Sequence, residues 1–234
     1  PTRRSSDLVA ADNHAAGASV AQHLIADPGF QAAVLQGTED SPAVIGILAQ
    51  DATSGSIVQR VDGFVKQAVS DLEALDGLAG AVDVSGHQNW TRPSDRATKV
   101  KIVVTVPPSA SATDIQTAAR SVFSNSHLAG VFATDQECVN GIIATTNDGT
   151  DLDRSTGKYK DVYVVGFDSG LSQRNAVKAG QFFGSVTQDP YQMGYQAVQL
   201  AVKAANGESV SDVDTGSKWY TADNMDEEDI AILF

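Results

Sequence analysis

The chain has 234 residues, of which 42% are hydrophobic and 19% charged, a composition that suits one large or two small packed domains. Asp and Glu number 29 against 16 Lys and Arg, giving a formal charge of -13; this excludes a phosphate backbone or an anionic membrane surface as the main partner, because both need clustered cations. The one cysteine, Cys138, has neither a disulfide partner nor a Cys or His at zinc-ligand spacing, and no run of roughly 18 apolar residues is available to span a bilayer.

Residues 1–8 (PTRRSSDL) are polar and basic and break abruptly from the acidic, Ala-rich chain that follows. They read as a non-native, adapter-derived segment, which places the authentic start of the protein upstream and leaves the lack of a signal peptide uninformative. From there, two good capping residues, Asp12 and Asn13, open a helix over Asp12–Ala26, with Val20, Leu24 and Ile25 on one face. A loop rich in Asp, Pro, Gly and Ser is expected next. Ala43–Ala49 (AVIGILA) is a strand buried on both faces, residues 50–56 a loop, and Ile57–Leu75 a helix through Val61, Phe64, Val65 and Val69.

Ala81–Val84 is a further strand, and the polar segment 85–98 (SGHQNWTRPSDRAT) reads as an inserted loop. Strand-like Lys101–Val106 leads through a turn to a helix over Thr113–Asn125, for which Thr113 is the expected cap. Then come strand Ala129–Ala133, helix Gln136–Thr145, a hydrophilic loop over 147–160, strand Val162–Phe167, helix Leu171–Ala179, strand Gly184–Thr187 and helix Tyr191–Ala205. Such alternation specifies an α/β fold with a doubly wound parallel sheet, in which ligands bind beyond the carboxyl ends of the strands.

Enzyme signatures are missing: there is no GxSxG, Walker A, GxGxxG after a strand, or HExxH. The four histidines lack metal-ligand spacing, the acidic loop at Asp148, Asp151 and Asp153 departs from the EF-hand pattern, and Cys138 reads as a packing residue. No catalytic residue, metal or cofactor is therefore expected.

Polar side chains do follow the strands. Asp135 comes after FAT, Asp168 after VVGF and Gln188 after GSVT, while Arg60 lies one turn into the helix beyond the residue-50 loop. Carboxylates accept from hydroxyls, a guanidinium donates to two oxygens and a carboxamide does both, which is the chemistry that holds a neutral polyol. The same aspartates are equally suited to capping the helices that follow, and Arg60 to pairing with Asp62 or Glu73. Trp90, with Asn89 beside it, suits stacking on a sugar face or anchoring its loop to the core.

The stretches VAADN (9–13), QRVDGF (59–64), GVFATDQECVNG (130–141), VVGFDSG (164–170) and GSVTQDPYQMG (184–194), in this order and spacing, resemble type I periplasmic sugar-binding proteins, the ribose-binding-like receptors of carbohydrate ABC transporters. The resemblance implies a sugar held between two lobes and places Arg60, Asp168 and Gln188 on ligand contacts. Asp135 stands where relatives commonly carry Asn, and Asn89 and Trp90 resemble a polar-plus-aromatic stacking segment, although Lys101–Asn125 competes for that alignment. It further implies that residues 9–188 form the C-terminal sugar-binding lobe, that 189–213 are an orphan helix of an N-terminal lobe otherwise upstream, and that 214–234 hold the last hinge crossing and a terminal strand. That helix is expected to expose an apolar face through Met193, Ala197 and Leu200.

The implied function is a monomeric, non-enzymatic receptor outside the cytoplasm, free or lipid-anchored, that hands a monosaccharide to an ABC permease without binding nucleic acid or spanning the membrane. The effector domain of a LacI-type regulator shares the fold, but such regulators tend to carry a Pro-Leu-Thr-Thr-like strand where this chain reads GSVTQDP.

Overall fold

A computed structural model of the protein describes residues 9–234; the segment read as foreign, 1–8, lies outside the described residues. The elements in chain order are β1 (Val9–Ala10), α1 (Asn13–Ala26), α2 (Pro28–Val34), β2 (Ala43–Leu48), α3 (Gly55–Glu73), β3 (Val82–Ser85), β4 (Val100–Thr105), α4 (Ala112–Phe123), β5 (Leu128–Ala133), α5 (Gln136–Thr145), β6 (Tyr163–Phe167), α6 (Leu171–Lys178), β7 (Gly184–Gln188), α7 (Pro190–Ala205), β8 (Val213–Asp214), β9 (Ser217–Tyr220) and α8 (Glu228–Ala231).

The main sheet runs β3-β4-β2-β5-β6-β7-β9, parallel except for β9, which pairs antiparallel with β7. Its central strands β2, β5, β6 and β7 bury both faces because consecutive residues feed two different helical layers. Phe132 and Val165 pack with α1, α2 and α3, whereas Val131 and Val164 pack with α4, α5 and α6. Outside this sheet, β1 and β8 form a separate parallel pair, Val9 beside Val213 and Ala10 beside Asp214, reinforced by the Asp12 N–H donating to Asp214 Oδ1 at 2.9 Å.

Three local expectations need correction. The segment after α1 is not simply loop: Asp27 accepts from the Phe30 N–H at 2.8 Å, Pro28 opens α2 at a position where its missing N–H costs nothing, and Phe30 and Val34 are buried. Helix α4 begins earlier than read, because Ser111 and not Thr113 caps it, accepting from the Asp114 N–H. In α7 no residue is buried; of the face expected to be open, Ala197 is exposed but Met193 and Leu200 are half-buried, and the exposed stripe is Tyr191, Tyr195, Val198 and Val202, between 50% and 71% exposed. Among the described residues no helix is long and apolar enough to cross a membrane.

Candidate functional site at the carboxyl ends of the strands

Asp135 lies two residues beyond β5, Asp168 one beyond β6, and Gln188 is the last residue of β7, so the parallel pairing of these neighbouring strands brings the three to one edge of the sheet, where Gln188 Nε2 donates to Asp168 Oδ1. Arg60 reaches the same place from the first turns of α3. Its Nε donates to Asn13 Oδ1 at 2.8 Å, its Nη1 donates to the Thr134 carbonyl at 2.9 Å, and its guanidinium carbon stands 3.7 Å from the centre of the Phe167 ring. The four residues therefore form one cluster.

Asp168 is the most constrained residue of that cluster. Its φ of +76° lies in the left-handed region that a non-glycine residue enters at a cost, commonly at ligand sites. The surroundings hold it there: its N–H donates to the Val186 carbonyl at 2.7 Å, and its own carbonyl accepts from Ser185 Oγ at 3.0 Å and from the Tyr220 hydroxyl at 2.9 Å. Gln173 in turn donates to Ser185 Oγ. The carboxylate accepts from Gln188 Nε2 on Oδ1 at 2.7 Å and from the Gln136 N–H, at the positive end of α5, on Oδ2.

Asp135 caps the same helix through the Cys138 N–H at 2.8 Å. Burial pushes its carboxyl above the ordinary aspartate range, against the lowering effect of that hydrogen bond and of Arg60. Burial also lowers the Arg60 guanidinium, while Asp168 and Asp135 pull it back up. Yet no ion pair joins Arg60 to either carboxylate among the described residues. Charges of opposite sign thus face one space without neutralising each other by contact.

A raised native pKa has a definite sign. The native state binds the Asp135 proton more tightly than the unfolded chain does, so the stability this group adds is present below its unfolded value and is lost as pH rises through the native one. Asp135→Asn keeps the capping oxygen and removes that loss, so its stability relative to wild type grows as pH rises from 3.5 to 7 in denaturant unfolding. Asp135→Ala instead forfeits the cap, about 1 kcal/mol. A wild-type-to-Asn difference that stays flat with pH refutes the assignment.

The cluster takes in Arg60, Asp135, Asp168 and Gln188 but not Asn89 and Trp90. Trp90 is only 5% exposed, sits in the α1–α3 core and donates its indole N–H to Asp62 Oδ1 at 2.7 Å; the anchoring alternative describes this placement. Asn89 donates to the Ala52 carbonyl at 3.3 Å, in the loop between β2 and α3. The pairings considered for Arg60 are taken elsewhere, since Asp62 serves Trp90 and Glu73 pairs with Arg92 at 2.9 Å. Asp135 does cap a helix, whereas α6 begins at Gly170 without Asp168. Sequence reasoning missed Asn13, taken for a capping residue, and Gln136, whose Oε1 accepts from the Gly170 N–H at 2.7 Å and so braces the loop that carries Asp168.

Comparison with known proteins agrees with this architecture. A family described as "periplasmic binding protein domain" matches residues 1–209. Among solved structures, an ABC transporter, LacI family transcriptional regulator from Brachyspira murdochii is 30% identical, with a TM-score of 0.79 over 97% of this chain and 66% of that one. A carbohydrate transporter solute binding protein from Agrobacterium radiobacter, in complex with D-arabinose, is 25% identical with a TM-score of 0.69 over 97% of this chain and 65% of that one. An ABC transporter solute binding protein from Agrobacterium vitis with bound D-fucose shares the fold at 22% identity and a TM-score of 0.68, over 97% and 64%. No curated protein sequence matches significantly. The chain spans about two thirds of the length of these relatives and belongs to the periplasmic binding protein family.

Proposed function

We propose that the chain supplies the C-terminal lobe, and part of the other lobe, of a receptor that closes around a monosaccharide or related polyol outside the cytoplasm and delivers it, unaltered, to an ABC transporter permease. The observation that carries this reading is the cluster of Arg60, Asp135, Asp168 and Gln188, held by surrounding hydrogen bonds yet without ion pairs within it. Such a set offers donors and acceptors to ring hydroxyls without first having to break a salt bridge. The D-arabinose bound by the A. radiobacter relative supports the same ligand class. In this reading the exposed stripe of α7, Tyr191 to Val202, packs on the second lobe, which forms the other wall of the cleft.

A thermal-shift and calorimetry panel of pentoses, hexoses and inositols on the full-length protein tests the proposal. One or more sugars raise the unfolding midpoint saturably, with stabilisation of about 2.7 kcal/mol at a hundredfold excess over Kd. A flat response across the panel refutes it. The B. murdochii relative, whose name carries both terms, favours a second reading as the effector domain of a LacI-type regulator. Sugar-sensitive binding to duplex DNA, weakening steeply with salt, would select that reading.

A further inference from the structure

We propose that Asn13 is a positioning residue for ligand recognition: it fixes the aim of Arg60 and keeps the guanidinium from closing onto the carboxylates it faces. The inference rests on the sugar-receptor reading above and extends it to a residue that need not touch the sugar.

Arginine pairs with a carboxylate most strongly through two adjacent N–H groups presented as a fork, either Nε with one Nη or both Nη. Asp135 and Asp168 both act electrostatically on Arg60, and a buried, desolvated guanidinium gains from neutralisation. The observed arrangement nevertheless contains no ion pair. The fork of Nε and Nη2 is blocked at Nε, whose single N–H is given to Asn13 Oδ1, and Nη1 gives one of its two N–H groups to the Thr134 carbonyl. The Phe167 ring under the plane resists tilting. What remains is the second N–H of Nη1 and both of Nη2, which has no hydrogen-bond partner among the described residues.

Asn13 is itself fixed. It is buried, and its Nδ2 donates to the Ala11 carbonyl at 3.1 Å, on the segment joining β1 to α1. With the amide pinned in this way, the oxygen must face Arg60. The adjacent Asp12 is tied to Asp214 of β8, so Asn13 refers one edge of the guanidinium to the β1–β8 pair, while the Thr134 carbonyl and the Phe167 ring refer the rest of it to the sheet that carries the carboxylates. Without Asn13, the edge formed by Nε and Nη2 is free to swing onto a carboxylate, and both groups are then lost to the ligand.

The test uses the full-length protein with two readouts. In 15N NMR without sugar, the Arg60 Nε–H resonance is protected from exchange in the wild type and in Asn13→Asp, which keeps the acceptor, and loses protection in Asn13→Ala. In calorimetry with the best sugar of the panel, Asn13→Ala weakens binding at least tenfold, and Asn13→Asp recovers most of that loss. In an Arg60→Lys background, which has no Nε–H for Asn13 to hold, Asn13→Ala changes affinity less than twofold. Continued protection of the resonance in Asn13→Ala, or an equal loss of affinity in the Arg60→Lys background, overturns the inference. A wild type that binds no sugar of the panel refutes the receptor reading instead, while the resonance still decides whether Asn13 holds the guanidinium.

Discussion

Arg60→Ala and Asp168→Ala in the full-length protein each weaken sugar binding by roughly 2 to 4 kcal/mol, the loss expected when a desolvated charged hydrogen-bonding group is truncated. The two variants fail for different reasons. Arg60→Ala removes the donor that bridges α3 to the Thr134 carbonyl and takes away the cation on which both Asp135 and Asp168 act. Asp168→Ala removes the acceptor that orients Gln188 and leaves a non-glycine residue in the left-handed region with nothing to gain there. Asp168→Asn separates charge from shape: it keeps one acceptor oxygen but places an NH2 group opposite either Gln188 Nε2 or the Gln136 N–H, both of them donors. It is therefore expected to bind more weakly than wild type as well. Isothermal calorimetry on the three variants measures the losses, and unchanged affinity in either alanine variant removes that residue from the site.

A second large effect is expected at a position with no functional group. Gly17→Ala destabilises the protein by about 2 kcal/mol or more, although alanine is the better helix former by about 1 kcal/mol. A Cβ at Gly17 would lie 2.1 Å from the Arg60 carbonyl oxygen, and one at Gly63 would lie 2.0 Å from that of His14, so α1 and α3 cross with their backbones in contact through one glycine from each helix. The obstacle is main chain and cannot rotate away, so the helices must separate and overpacking outweighs propensity. Because the carbonyl in the way belongs to Arg60, sugar affinity falls together with stability. Gly55→Ala, at the first residue of α3 with nothing near the new methyl, is the control and keeps or gains stability, by up to roughly 0.5 kcal/mol. Denaturant unfolding of the two variants decides; Gly17→Ala behaving like Gly55→Ala would refute the close crossing.

The residues that sequence made legible share a simple geometry. Asp135, Asp168 and Gln188 each stand at or just past the carboxyl end of a short strand, and parallel, adjacent strands bring those ends to one edge of the sheet. Trp90 illustrates the limit: a lone indole in a polar segment announces that it has a partner, but whether that partner is a ligand or Asp62 on α3 depends on a contact 28 residues away. Asn13 was hidden by its own suitability, since a residue that caps well offers no sign that its neighbour does the capping and its side chain turns inward instead. Strand β9 is four residues long and is specified by pairing with β7 and burial of Tyr220, neither of which leaves a periodic trace.

Tyr220 also has a consequence for when the protein becomes competent. A nascent chain that has grown as far as Gln188 already carries all four polar side chains of the cluster, but β7 is then an open edge and the Asp168 carbonyl lacks one of its two donors. At about 5–20 residues per second, ribosomal synthesis takes seconds to extend from there to Tyr220. Only then does an antiparallel strand seal the sheet and its phenol lock the Asp168 backbone from 52 positions downstream. The cluster's backbone thus waits on a segment made after all of its polar side chains, and a chain cut between Gln188 and Tyr220 holds those side chains without this brace.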